Sequence, residues 1–146
     1  MSADHIEARF AVIDLVYAYA DALDRRDWVR LDAVFTSDVT VDYAGEYELS
    51  GRDRVVAMIR AYLDPCGPSQ HLLSNPRVTV DGDTAELSVK LRVHHLGAAD
   101  HNDLTYEIFG WYHARARRTA DGWRIHGWRQ EVTAELGTRE LFTVTT

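Results

Sequence analysis

Apolar residues near the start of the chain recur with a helical period, and residues 5–24 read as one amphipathic helix. Counted at about 100° per residue, Ile6, Ile13, Tyr17 and Ala20 form a stripe that also contains Asp24. Such a stripe faces a core, where a lone carboxylate is costly to desolvate. Either the helix ends before Asp24, or something inside the protein answers its charge. Asp27 has the character of an N-cap for a short second helix, WVRLDAVF, with Trp28, Leu31 and Phe35 on one face. VTVDY alternates as a strand, with Val39, Val41 and Tyr43 on one side. Ser50 and Asp53 form an S-x-x-D start for a third helix, GRDRVVAMIRAYL, which DPCGP stops.

Beyond that stop the pattern changes to strands. SQHLLSNPRVTV and TAELSVKLRVHHL, joined by DGD, read as a hairpin. LTYEIFGWYHARARR and WRIHGWRQEVT follow, joined through a turn at Asp121 and Gly122. Helices first and long antiparallel strands last is an α+β layout. A strongly curved sheet wrapped over three helices would enclose an interior pocket. The length suits one domain over residues 1–146, with no internal repeat.

Composition narrows the functional classes. The chain is 46% hydrophobic and 27% charged, an ordinary globular mixture. A net charge of −7 with no large Lys/Arg cluster argues against nucleic acid and against an anionic membrane surface. No apolar run approaches the length of a membrane span. Cys66 is the single cysteine, so no internal disulfide is possible; a reducing, cytoplasmic setting is expected.

The seven histidines invite a metal reading that their spacing does not support. There is no H-E-x-x-H, no C-x-x-C and no helical i, i+4 pair of histidines, so no metal site is expected. Strand parity says more. Over residues 85–95 the odd positions are Ala, Leu, Val, Leu, Val and His95, whereas the even ones are polar and end at His94. Alternation places His95 on the apolar face and His94 in solvent or under a partner subunit. His71 is a third polar break, in HLLS after the Pro/Gly-rich loop. A histidine that meets Asp24 would satisfy the buried charge, and the charge would fix the ring's tautomer and free its other nitrogen to take a proton.

At these residues the sequence resembles the SnoaL-like group of the NTF2-like superfamily, and within it scytalone dehydratase. The likeness runs over nearly the whole chain, through YADALDRRDWVRL, VDY, QHLLSN, LRVHH and DGWRI. It implies an α+β cone with an open pocket, three N-terminal helices on a curved, mostly antiparallel sheet, in homodimers or homotrimers. The scytalone dehydratase pattern puts a catalytic Asp on Asp24, catalytic histidines on His71 and His95, and a pocket tyrosine on Tyr43. Hexachlorocyclohexane dehydrochlorinase and bile acid dehydratase are similar in pairing an Asp like Asp24 with a His like His71. The chain departs from scytalone dehydratase at Leu23, which replaces a second pocket tyrosine, and at Trp111 and His113, which replace a Ser and an Asn. A short Thr-rich C-terminus replaces its long lid. Bile acid dehydratase has a tyrosine matching Tyr19, yet helical spacing puts Tyr19 roughly 140° from Asp24, which weighs against a shared site.

The expectation is a cofactor-free acid–base lyase, a dehydratase or related cyclase or isomerase, acting on a polyketide-like or other apolar cyclic molecule. His71 oriented by Asp24 would be the base, Tyr43 the oxyanion donor, and His95 the acid for the departing hydroxyl. Tyr19, Phe109, Trp111, His113 and Trp128 would line the substrate pocket. The alternatives are a hydrolase or isomerase in the same pocket and a non-catalytic ligand-binding module.

Overall fold

The computed structural model describes residues 1–144, apart from the side chain of residue 47. Helix α1 spans Ala3–Arg25 and is capped by Ser2, whose hydroxyl accepts from the backbone N–H of His5 at 3.2 Å. Its buried residues are Ala8, Val12, Leu15, Val16, Tyr19, Ala20, Ala22 and Leu23, a continuous helical face that shares Ala20 with the stripe read in the sequence. The two differ, since Ile6 and Tyr17 are 43% and 38% exposed. The helix carries a second, outward apolar row through Ile6, Phe10 and Tyr17, and periodicity alone does not say which row meets the core. Asp24 consequently sits at the border of the buried face.

Trp28–Ala33 forms a 3₁₀ helix rather than an α-helix, and the Asp27 side chain makes no capping bond. Strand β1 (Phe35–Tyr43) pairs with β2 (Tyr47–Ser50), a strand not read in the sequence. Helix α2 covers Arg52–Leu63. The expected S-x-x-D start is not formed there: Gly51 occupies the cap at φ 96°, with no side-chain capping bond. The remaining strands are β3 (Ser69–Asp81), β4 (Thr84–Leu96), β5 (Thr105–Thr119) and β6 (Gly122–Gly137), followed by a 3₁₀ turn at Arg139–Phe142. They form one six-stranded sheet in the order β2-β1-β6-β5-β4-β3, antiparallel throughout except where β1 lies parallel to β6. Among the described residues no helix is long and apolar enough to cross a membrane.

The β1–β6 pairing is irregular between Phe35 and Thr40, and three single-residue bulges bend the rest of the sheet. Two lie in β6, at the register shifts between Phe109 and Gly110 and between Arg115 and Ala116. At the first, a Cβ on Gly110 would run into the backbone carbonyl of Glu131, so only glycine permits the close approach. The third lies in β3 between Ser74 and Arg77, around Asn75 at φ 55° and Pro76. It adds one residue and so switches parity. His71 and Leu73 turn inward before it, and Val78 and Val80 after it, which keeps both halves of the strand apolar toward the helices.

Candidate active site

The last turn of a helix is a poor place for a carboxylate, because the macrodipole leaves negative potential there. Asp24 is in that turn of α1, and three donors gather on it from the start of β3. His71 Nδ1 approaches Oδ1 at 2.6 Å, the His71 backbone N–H donates to Oδ2 at 2.8 Å, and the Ser69 hydroxyl donates to Oδ1 at 3.1 Å. Burial raises the Asp24 pKa, but the bonds and charge from His71, with Ser69, outweigh it and hold the carboxyl below its usual range. An ionised carboxylate only accepts, so Nδ1 of His71 carries the hydrogen, and in the neutral ring Nε2 is the nitrogen left with a lone pair. The His71 side chain is 3% exposed and faces a cavity.

Arg26 holds this junction together. It ends α1 in the left-handed region, φ 56°, where glycine is the ordinary residue. Its guanidinium donates to the carbonyl of Leu23 (2.6 Å), the carbonyl of Gly67 (2.7 Å) and the Ser69 hydroxyl (2.8 Å). Ser69 thus accepts from Arg26 while donating to Asp24, and helix end and strand start become one hydrogen-bonded unit.

The cavity, about 140 Å³, lies between α1, α2 and the inner face of β1, β4, β5 and β6. The Tyr19 and Tyr43 hydroxyls are hydrogen-bonded to each other at 2.9 Å on its wall. Tyr112 stands edge-on to Tyr19, with ring centroids 5.6 Å apart. Burial, with the neighbouring phenols, pushes all three tyrosines well above the ordinary phenol pKa, so they remain protonated donors. Tyr19 therefore reaches the cavity. It can do so 140° from Asp24 because the cavity curls around the helix end instead of lying along one face.

His95, 6% exposed, lines the same cavity with its ring 6.1 Å from that of His71. Its Nδ1 lies 3.1 Å from the carbonyl of Tyr106 and must donate to it. Burial, and after it the proximity of the titratable His71 ring, pulls its pKa down to about 4. A ring with so low a pKa is neutral at pH 7 and has no second proton to give, which weighs against His95 as the acid for a departing hydroxyl. His94, on the opposite face, pairs with Glu107 at 2.7 Å.

Three expected pocket residues lie elsewhere. Phe109, Trp111 and His113 occupy the parity of β5 that points away from the helices, opposite buried Ile108, Tyr112 and Ala114. Lys90 and Arg92 cover the first two rings, and His113 pairs with Glu131 at 2.8 Å in an outer groove. Trp128 is buried but behind the cavity, its ring packed on Tyr19 and Tyr112 at 4.4 and 4.5 Å. Conversely, Tyr62, Tyr106, Arg139 and Phe142 line the cavity and were not anticipated. For Tyr106 the sequence carries the signal: from 106 to 116 the even positions of β5 run Tyr, Ile, Gly, Tyr, Ala, Ala, and the charged residues of that stretch are odd. The C-terminal 3₁₀ turn forms the rim, with Phe142 against His95 and Tyr106, and Arg139 paired with Glu46 and Glu135. No group of three or more His, Cys, Asp or Glu among the described residues is placed to hold a metal ion.

Comparisons with known proteins bear on the family and the fold. A family model described as a SnoaL-like domain matches residues 4–129. The uncharacterized protein Rv2910c of Mycobacterium tuberculosis H37Rv is 32% identical over 126 residues, covering 86% of this chain and 85% of its own. Among solved structures, the Kfla4162 protein of Kribbella flavida superposes with a TM-score of 0.87 at 24% identity, covering 96% of this chain and 99% of its own. A provisionally named scytalone dehydratase from Novosphingobium aromaticivorans DSM 12444 gives 0.81 at 19% identity, covering 92% and 89%. Hexachlorocyclohexane dehydrochlorinase LinA-type3 of Novosphingobium barchaimii LL02 gives 0.81 at 16%, covering 92% of both.

Proposed function

Because the chain belongs to the SnoaL-like domain family and has the NTF2-like fold of its solved neighbours, we propose that it is an acid–base lyase that needs no cofactor and removes water from a small cyclic carbonyl compound. The observation that carries this reading is the Asp24–His71 pair: a charged bond of 2.6 Å at a cavity wall, oriented by a second bond to the His71 backbone. A binding module has no use for a base held in one tautomer. Two neighbours carry the names of eliminations, dehydration and dehydrochlorination, though fold alone would not argue the point.

The proton inventory suggests the course of the reaction. His71 Nε2 takes the proton beside the carbonyl, while Asp24 stabilises the imidazolium that forms. Tyr43, supported by Tyr19, donates to the carbonyl oxygen as charge develops on it. The C–O bond then breaks and the hydroxyl departs with its electron pair. The imidazolium of His71 returns its proton to that hydroxyl, giving water, a double bond and neutral His71. One residue serving as base and then acid fits a site whose second histidine is neutral. It also requires both groups to leave from the same face of the ring.

Size limits the substrate. A dry cavity of about 150 Å³ holds one benzene ring, so a space of about 140 Å³ fits a single six-membered ring. A fused polyketide would need the rim at Arg139 and Glu46 to open.

The first test is proton exchange. Cyclohexanone incubated in D₂O with the protein should exchange its α-hydrogens faster than in buffer, and His71→Ala should remove the acceleration. A panel of 3-hydroxycyclohexanones, followed by enone absorbance, should then report elimination. Absence of both exchange and elimination would sink the enzyme reading in favour of a ligand-binding module.

A further inference from the structure

We propose that His95 is the residue that selects the leaving group, and that the group it selects is a hydroxyl and not a halide. The inference rests on the elimination reading above and sharpens it, because relatives of this fold are named for both chemistries.

The argument is an account of one nitrogen. His95 Nδ1 faces the carbonyl of Tyr106 at 3.1 Å, and a carbonyl only accepts, so the hydrogen sits on Nδ1. Nε2 is then a bare acceptor on the far side of the ring. It has no protein partner among the described residues, yet it is not sealed in as a stranded buried atom; its opening is the cavity that His95 lines. A nearly buried acceptor gains most from a ligand that brings an O–H or N–H to it. A ligand presenting only C–Cl or C–F leaves it unpaired and drives off whatever water it held.

The hydroxyl of a hydroxy-ketone satisfies it. The oxygen of that hydroxyl keeps its lone pairs for the proton coming from His71, whose ring centre is 6.1 Å from that of His95. Its hydrogen points at His95 Nε2. His95 thereby aims the leaving group without exchanging a proton, and the balance of the elimination is unchanged: C–H and C–O break, C=C and water form. A halide has no hydrogen to offer, so the same site holds it without orientation.

The test is binding, with phenol and fluorobenzene as ring probes of nearly equal shape. By calorimetric titration phenol should bind roughly tenfold tighter, and in His95→Phe the preference should fall to within about twofold. The ¹⁵N signal of His95 Nε2 in the parent protein should be that of an unprotonated nitrogen and should shift with phenol but not with fluorobenzene. This NMR measurement decides the matter even if the variant fails to fold. Equal affinities, a preference that survives His95→Phe, or a protonated Nε2 in the free protein would each overturn the assignment. Loss of α-hydrogen exchange in the parent would instead sink the catalytic reading, whereas the phenol preference reports only on His95.

Discussion

Replacing Asp24 by Asn changes one atom and poses a problem the site cannot solve. The carboxylate uses Oδ1 for His71 Nδ1 and Ser69, and Oδ2 for the His71 backbone N–H. An amide has one acceptor and one donor group. With its oxygen in the Oδ1 position, the NH₂ meets the His71 backbone N–H, donor against donor. With its oxygen in the Oδ2 position, the NH₂ faces His71 Nδ1 and forces the ring into its other tautomer, with Nε2 protonated and the base lost. The charge is gone in either pose. For unit charges about 4 Å apart at an effective dielectric near 20, Coulomb's law gives about 4 kcal/mol. The Asp24 side chain is 21% exposed, so screening leaves roughly 2–3 kcal/mol, or about a hundredfold in rate.

Asp24→Asn should therefore lower α-hydrogen exchange by about 10² or more. His71→Ala should abolish it, and the double variant should be no slower than His71→Ala, because the pair acts as one unit. The assay is exchange of cyclohexanone in D₂O, paired with ¹⁵N spectra that report which nitrogen of His71 holds the proton. An Asp24→Asn variant that keeps parental exchange and an unprotonated Nε2 would show that the carboxylate is structural and refute the orientation argument.

The remaining predictions concern stability, positioning and assembly. The folded-state pKa of His95 is lowered from 6.5 to about 4, so the unfolded chain binds the extra proton between those values. Stability should rise with pH across that window, by at most about 3 kcal/mol, and denaturant titrations of His95→Phe should show a flatter profile. Arg26→Gly relieves the left-handed backbone but removes the clamp on Ser69, so melting should change by no more than about 1 kcal/mol while exchange falls at least tenfold; loss of both together would make Arg26 merely structural. Gly110→Ala should destabilise by roughly 2–4 kcal/mol in denaturant melts, because a Cβ there meets backbone and not a movable side chain. Leu72 and Leu136, 55% and 60% exposed, with Phe109 and Trp111 half-buried under Arg92 and Lys90, give the outer face of the sheet an apolar surface that argues for self-association; the parent should sediment as a dimer or trimer at micromolar concentration and Trp111→Asp as a smaller species, and a monomeric parent would contradict this.

What the sequence made legible follows from which signals are local. Parity over residues 85–95 separated His95 from His94 because β4 runs unbroken, with no register shift against β5 across those residues. The same reasoning leaves β5 undecided: family correspondence points Trp111 and His113 into the pocket, and aromatic character points Phe109 there, although all three share a parity with Arg115 and Arg117. On an isolated helix the angle between Tyr19 and Asp24 argues against a shared site. That angle is real, but a cavity wrapped around a helix end collects side chains from more than one face. The stripe on α1 is only partly legible, because an outward row through Ile6 and Tyr17 is as apolar as the buried one and only the packed sheet distinguishes them. The turn at Arg139–Phe142 carries no strong pattern of its own; it is fixed by tertiary contacts, such as Phe142 on Tyr62 and buried Leu141, whose carbonyl accepts from the Cys66 thiol.

Asp24 itself joins these two levels. A carboxylate in the final turn of a helix opposes the macrodipole, and a left-handed arginine beside it adds backbone strain of about 1–3 kcal/mol. A fold selected for stability alone would place glycine at the cap and an apolar or basic residue before it. Here the cost is offset by contacts from one short stretch, residues 67–71, and those contacts set the tautomer of His71. The stabilising bonds and the orienting bonds are the same bonds. Improving the helix end by local rules should therefore remove the chemistry first, and that is why Arg26→Gly, which leaves His71 and the cavity wall untouched, separates the two roles.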